Sequence, residues 1–257
     1  MKLNFKLANI VCRVDDHAAS HPELYYRVQP GGAVCTLPGG RLQINGTVDF
    51  MTYVNGFSAL KWRQYTEIDE VCLNWVLDGS GLVHIFGVEH GSQDSVQIKQ
   101  VPFSSDNGLS SLSISVCLEN FDLIGFSVSS EESTTATLVK GCYTATVDED
   151  EVNRVDLALS TTTFKNERYI IPNIDLVKEG ISKEGGPIRD HFHMFVVDNG
   201  QTLDSASLSD DLVTVLPNPN TGGSGGFARG MMAATETPNQ FTHIILMDDD
   251  VSIMPDS

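Results

Sequence analysis

Basic residues are scarce in this chain. Its 257 residues include 16 Lys and Arg against 34 Asp and Glu, a formal net charge of −18 at pH 7. A field of that sign repels phosphate backbones, and no local basic patch offsets it, so nucleic acid is not an expected partner. Long apolar runs are also missing, and none approaches the roughly 20 residues that a membrane helix needs. The N-terminus, Met1-Lys2-Leu3-Asn4-Phe5-Lys6-Leu7, has neither a sustained apolar segment nor a small-residue cleavage site. Together these absences predict a cytoplasmic protein. The cysteines number five, an odd count with no Cys-x-x-Cys spacing, which argues against a disulfide framework or a zinc site. Buried thiols in strands are expected instead. His17, His21, His84 and His90 follow no metal-ligand spacing and receive no role. No Gly-x-x-x-x-Gly-Lys-[Ser/Thr] is present, so a P-loop is excluded.

With 41% hydrophobic and 19% charged residues, the chain reads as globular, and its length suits two domains. Residues 1–150 are rich in strand patterns. Leu112, Ile114, Val116 and Leu118 alternate with small polar residues, as do Ile124, Phe126 and Val128. Val71–Leu77 and Leu82–Phe86 read as two further runs, separated by Asp78-Gly79-Ser80-Gly81. Asn45-Gly46 and Asp106-Asn107-Gly108 are further turn signals, and Asn45-Gly46-Thr47 reads as a hairpin turn. Many short strands at close spacing predict an antiparallel β-sandwich of jelly-roll type. Phe50, Tyr53, Phe57, Trp62 and Tyr65 are expected in its core.

The charged break Val147–Arg154 separates this pattern from a different one, so the second domain is placed at 151–257. Val155–Thr162, Phe192–Val197 and Leu212–Leu216 read as buried strands. Helices are expected from about Arg168 to Lys183, stopped by Gly185-Gly186-Pro187, and from Phe227 to about Thr235. Strand–helix alternation predicts a parallel sheet with helices on both faces, whose ligands sit beyond the C-terminal strand ends. Thr163, Asp198, Asn218 and Asp248 each follow a predicted strand and should converge on one crevice.

The last predicted strand carries the chemistry. Ile244–Met247 is an unbroken apolar run and reads as buried. It ends in Asp248, Asp249 and Asp250, whose mutual repulsion is hard to explain by stability alone. Hard carboxylate oxygens suit Mg2+ or Mn2+. Residues two apart on a strand point the same way, so Asp248 and Asp250 are the expected metal pair while Asp249 faces elsewhere. The run Thr221-Gly222-Gly223-Ser224-Gly225-Gly226 reads as a loop from which Ser224 and Arg229 reach toward a nucleotide or sugar. It matches no dinucleotide fingerprint, because it follows the domain's third strand and not its first.

Four segments occur in order: Thr-Phe-Lys at 163–165, Val-Val-Asp-Asn-Gly at 196–200, Asn-Pro-Asn-x-Gly-Gly-Ser-Gly-Gly-Phe-Ala-Arg-Gly at 218–230 and Met-Asp-Asp-Asp-Val at 247–251. This series resembles the GT-A glycosyltransferases of family 2, and among them the bacterial galactofuranosyltransferases that polymerise galactan. The β-rich first half is similar to the sandwich domain that precedes catalysis in those enzymes. The resemblance implies a sandwich followed by the nucleotide-binding, Rossmann-like half of a GT-A domain, truncated. It implies that Thr163 and Phe164 pack on uracil, Asp198 holds the uridine and Asn218 contacts the nucleotide. It further implies that Asp248 and Asp250 bind Mn2+ or Mg2+ beside the diphosphate and that Asp249 lies near the sugar.

The implied activity is inverting transfer of galactofuranose from a UDP-sugar donor to a polyprenyl-linked glycan acceptor. Similar enzymes work at the cytosolic face of the membrane, which allows peripheral membrane contact and homo-oligomerisation. Two departures stand out. Lys165-Asn166-Glu167 follow Phe164 where the family places an Arg two residues on. The family's catalytic base and histidine ligand are expected beyond Ser257, so no catalytic residue is assigned and no turnover is expected from this stretch. The rival readings are a GT-A-like nucleotidyltransferase, disfavoured because Thr163–Glu167 is neither basic nor glycine-rich, and a non-catalytic glycan-binding or scaffold protein.

Overall fold

A computed structural model describes residues 1–12, 21–105, 108–184, 187–237, 241–251 and 253, leaving aside the side chains of 182–187. His17, Asp106-Asn107 of one expected turn and the Gly185-Gly186 helix stop lie outside the described residues. The chain divides into two compact units, Met1–Val152 and Asn153–Asp256.

The first unit is β-rich with one short α-helix. Its elements are β1 (Lys2–Asn9), β2 (Arg27–Val28), β3 (Ala33–Leu37), β4 (Arg41–Asn45), β5 (Thr47–Asp49), α1 (Ala59–Tyr65), β6 (Glu70–Glu89), β7 (Ser95–Ser104), β8 (Ser110–Cys117), β9 (Phe121–Ser130) and β10 (Ala136–Asp148). The strands pair antiparallel around β6. Residues of β6 up to Gly79 pair with β10 and β8, and those from Ser80 onward pair with β7 and β9. One strand of 20 residues therefore serves two sheets. The first sheet also holds β1, β4 and β3, and the second holds β5 and β2.

Val71–Leu77 and Leu82–Phe86 thus belong to one strand, where two were expected. The intervening glycines change the strand's direction without ending it. Gly79 has φ +88°, and a Cβ there would lie 2.4 Å from the Thr135 carbonyl oxygen. Asn45-Gly46 likewise forms no hairpin, because β4 and β5 do not pair with each other. Gly46 instead exchanges bonds with Ser130, donating its N–H to Oγ (2.9 Å) while its carbonyl accepts the Ser130 N–H (2.9 Å). The chain steps from the first sheet to the second at this corner.

Odd-numbered residues of β6 fill the space between the sheets. Val71, Leu73, Leu77, Val83 and Ile85 are fully buried, and Trp75 nearly so. Burying each large side chain contributes about 1.5–3 kcal/mol. Phe126 stacks on Phe50 at 4.8 Å between ring centroids and meets Trp75 edge-on at 5.2 Å. Asn55 is buried and ties three segments, accepting from Val11 N (2.7 Å) and donating to Val11 O (2.9 Å) and Tyr25 O (2.7 Å). Tyr143 donates its hydroxyl to Asn55 O at 2.8 Å, and burial pushes its ionisation well above the usual range.

The expected aromatic core divides. Phe50 and Phe57 are buried and Trp62 stacks on Phe57, but Tyr53 is 87% exposed and Tyr65 is 76% exposed. The thiols also depart from expectation. Cys12 alone is buried, with its pKa raised to about 12 by desolvation, whereas Cys35 and Cys117 sit exposed on β3 and β8.

The second unit runs β11 (Leu157–Thr163), α2 (Glu167–Glu184), β12 (Phe192–Asp198), α3 (Ser205–Leu208), β13 (Val213–Pro217), α4 (Gly222–Glu236) and β14 (His243–Asp248). The four strands are parallel, in the order β13-β12-β11-β14. On one face, Leu159, Met194, Val196, Val213 and Val215 pack with Ile170, Ile174 and Val177 of α2. On the other, Ala158 and Phe195 pack with Ala233 and Ala234 of α4.

Two expectations for this unit are corrected. The glycine run is helical and not a loop, so α4 begins five residues before Phe227. The glycines let this helix lie against the sheet: a Cβ on Gly226 would fall 2.2 Å from Thr162 Cγ2, and one on Gly230 2.0 Å from Ser160 Oγ. Among the described residues β14 is an outer strand, paired with β11 alone and not buried. Ile244 and Met247 pack inward, one on each face, while Ile245 is 50% and Leu246 48% exposed.

Replacing Gly79 forces both a strained backbone and a backbone collision at the sheet crossing. Gly79→Ala is expected to destabilise the first unit by about 1–3 kcal/mol. Because Trp62 and Trp75 both lie in this unit, an earlier urea transition in tryptophan fluorescence will report it. An unshifted transition would show that the crossing tolerates a side chain.

Candidate functional site

The strand order sets the place. From β11 the chain goes to β12 and β13 on one side, then returns to lay β14 on the other. Such a reversal leaves a crevice beyond the C-terminal strand ends. A cleft of about 340 Å³ opens there. Thr162, Thr163 and Phe164 from the end of β11 line it, with Asn166, Asn199 and Asp249 from the turns around α2, β12 and β14. The start of α4 closes it with Gly222 and Gly223, beside Asn220.

The three aspartates do not point together. Asp249 turns inward, and its carboxylate accepts from Thr163 Oγ1 at 2.6 Å and from Asn166 Nδ2 at 3.3 Å. Its carbonyl accepts from Asn173 Nδ2 at 3.2 Å, and the same amide reaches the Val251 carbonyl at 2.8 Å. Asp248 and Asp250 are exposed and have no hydrogen-bond or ion-pair partner among the described residues. Two hard carboxylates with free lone pairs suit Mg2+ or Mn2+, which keep one or two protein carboxylates and complete their shells with water or phosphate. Among the described residues, no group of three or more His, Cys, Asp or Glu is placed to hold an ion.

Asp198 and Asn218 lie beneath the cleft. Asp198 is buried, its Oδ1 accepting from Gly200 N (2.9 Å) and its Oδ2 from Thr202 N (2.7 Å) and Leu203 N (2.8 Å). Asn218 donates to Asn199 Oδ1 (2.7 Å), Pro219 O (2.8 Å) and Thr221 Oγ1 (3.1 Å). Asn199 in turn donates to Gly222 O at 3.0 Å. This chain of amides fastens the end of β12 to the start of α4. Lys165 (φ 56°) and Gln201 (φ 51°) hold left-handed backbone in the two loops at the cleft. Such strain often gathers at functional sites. Glu167, at the start of α2, is held below the usual carboxylate range, first by a hydrogen bond from Thr202 and then by its own backbone N–H.

Phe164 is 48% exposed at the rim, with Lys165 Nζ 5.3 Å from its ring centroid. Ser224 and Arg229 do not line the cleft. The Arg229 guanidinium runs along α4 toward Glu236 (3.9 Å), away from the helix start. Of the residues singled out by sequence, the cleft therefore gathers Thr163, Phe164 and Asp249. Asp198 and Asn218 brace it from below, and Asp248 and Asp250 stand on the outer side of the β14 turn.

Residues 160–257 match the family described as Glycosyl transferase family 2, and residues 39–146 match Galactofuranosyltransferase 2 N-terminal. Galactofuranosyltransferase GlfT2 of Mycolicibacterium smegmatis is 27% identical over 219 residues, covering 82% of this chain and 33% of that protein. GlfT2 of Mycobacterium tuberculosis is 25% identical over 223 residues, with the same coverage of each chain. This chain is similar to family 2 glycosyltransferases of the galactofuranosyltransferase type. It corresponds to the N-terminal part of GlfT2-like proteins and spans about a third of the length of the curated relatives it matches. A xylan-binding CBM22 domain from Paenibacillus barcinonensis aligns at 10% identity over 56% of this chain and 92% of that one, with a TM-score of 0.34. That likeness is too slight to carry fold or function.

Sequence reading missed Asn166, Asn173, Asn199 and Asn220. The first occupies the position where the family's Arg was expected, and here it serves Asp249. Asn199 and Asn220 adjoin residues already singled out, so only their side-chain direction was hidden. Asn173 did carry a signal, a polar residue amid the apolar stripe of α2.

The Thr163–Asp249 bond joins a buried hydroxyl to an ionised group, a class of bond that contributes about 1.5–3 kcal/mol. Thr163→Val keeps the shape and removes the donor. It is expected to destabilise the second unit by about 2 kcal/mol, measured by urea denaturation followed by circular dichroism. An unchanged midpoint would mean that the bond carries no net weight.

Proposed function

We propose that this chain supplies the donor-binding part of an enzyme that transfers galactofuranose from UDP-galactofuranose to a polyprenyl-linked glycan, with inversion at the anomeric carbon. One observation carries the reading. The end of β11, with its half-exposed Phe164, and the β14 turn, with its two unpartnered carboxylates, meet at the reversal of a parallel sheet. In this reading the second unit is the nucleotide-binding half of a GT-A domain. The similarity to galactofuranosyltransferases supports the donor sugar, and no residue in the cleft selects it by itself.

Each residue then has a task. Phe164 stacks on the uracil ring, and Thr163 beside it closes the base pocket. Asp198 and Asn218 hold the loops that receive the uridine, acting through Asn199 and the backbone. The start of α4 lines the cleft at Gly222 and Gly223, and a helix N-terminus favours an anionic diphosphate. Asp248 and Asp250 hold Mg2+ or Mn2+, which when bound neutralises charge on the departing UDP. Asp249, kept inward, borders the sugar. During transfer the anomeric carbon–UDP oxygen bond breaks as the acceptor oxygen bonds to that carbon, and a carboxylate takes the acceptor's proton. No described residue is assigned that last role. In this reading the enzyme meets its lipid-linked acceptor at the cytosolic face of the cell membrane. No helix among the described residues is long and apolar enough to cross a membrane.

Isothermal titration calorimetry tests the donor site directly. UDP is expected to bind this chain in the presence of Mn2+, and Asp248→Ala with Asp250→Ala to remove the Mn2+-dependent part. Phe164→Ala is expected to weaken UDP by about tenfold, since base–aromatic stacking contributes ~1–3 kcal/mol. Folded wild-type protein that ignores UDP with Mn2+ present would defeat the assignment.

A further inference from the structure

We propose that Asn173 is a positioning residue for the acidic turn, fixing the spacing of Asp248 and Asp250 before any cation arrives. The proposal rests on reading those two carboxylates as the cation site.

The argument begins in α2. Ile170, Ile174, Val177 and Ile181 form its buried stripe at helical spacing. Asn173 falls on the same face and is only 4% exposed. Packing alone favours an aliphatic side chain there, because an amide must be hydrogen-bonded when buried. Helix propensity disfavours the choice as well, since Asn is a weak helix former and here follows Pro172, which lacks an N–H. Nothing local explains this residue.

Its partners do. β14 ends at Asp248, so beyond that point the backbone loses its sheet neighbour. The Asp249 and Val251 carbonyls receive their hydrogen bonds from the single Asn173 amide, at 3.2 and 2.8 Å. The same helix, one residue before its first turn, presents Asn166 to the Asp249 carboxylate. Asp249 is thereby held through its side chain and its backbone at once. With the middle aspartate pinned inward, its two neighbours stand exposed on either side. Asn173 touches neither of them and acts on both through the backbone between.

Groups that orient metal ligands from behind typically alter affinity by about 10–100-fold when removed. The test uses the full chain and Mn2+ as the probe, with the free-ion signal followed by electron paramagnetic resonance. Asn173→Leu suits the stripe and deletes both donors. It is expected to weaken Mn2+ binding by about tenfold or more, to leave the metal-free affinity for UDP unchanged, and to speed amide exchange at Asp249–Val251 in the absence of metal. A purely structural role would not separate Mn2+ from UDP in this way. Asn173→Ser, which keeps one short donor, is expected to show a smaller loss and decides the matter if the leucine variant does not fold. Wild-type affinity for Mn2+ in the folded variants overturns the proposal alone. Absence of Mn2+ binding by the wild-type chain overturns the site reading, and this proposal with it.

Discussion

Three consecutive carboxylates cannot be solved in one direction. Each repels the next, and no lysine or arginine side chain offsets them among the described contacts. The protein's solution is to treat the middle one as structure and the outer two as surface. Thr163 and Asn166 give Asp249 the donors that water would otherwise supply, and Asn173 secures the backbone from Asp249 to Val251. Everything at the cleft depends on this sorting. It joins β14 to the loop between β11 and α2, so the two edges of the crevice form one hydrogen-bonded unit. It also leaves Asp248 and Asp250 with their oxygens uncommitted. On the proposed reading of Asp248 and Asp250, a cation would meet ligands braced from behind that need little rearrangement.

A similar division of labour operates across the floor of the cleft. Asp198, Asn199 and Asn218 are all buried, and each spends its polar atoms on neighbouring backbone or on one another. Such side chains shape the loops that meet a ligand. The glycines of α4 act by omission. Without Cβ atoms at Gly226 and Gly230 the helix sits down on β11, which brings its amino end to the mouth of the sheet.

How much of this could be read from residues alone follows from the range of the interactions. Alternating and unbroken apolar patterns are local, so the β-rich first half and the α/β second half were both legible, as was the position of Thr163 and Asp248 at strand ends. What failed was non-local. The turn signal at Asp78-Gly79-Ser80-Gly81 is the same whether a strand stops or merely changes sheet, and only Thr135 across the gap decides. The glycine run before Phe227 resembles a loop because its helix is stabilised by a sheet that sequence does not display. Ile244–Met247 reads as buried, although its exposure depends on how many strands flank it. Tyr53 and Tyr65 have the composition of core residues and the position of surface ones. Asn173 was visible as an anomaly, but its meaning needed a partner 76 positions away.

The open side of β14 has a practical consequence. Among the described residues β14 pairs with β11 alone and bares Ile245 and Leu246, and such a strand is a template on which another strand can assemble. Chains prepared in isolation are therefore prone to associate edge to edge at high concentration. Apparent stoichiometries from crowded samples would then record that self-adhesion and not ligand occupancy, so sedimentation across a dilution series belongs before any count of bound ions or nucleotides.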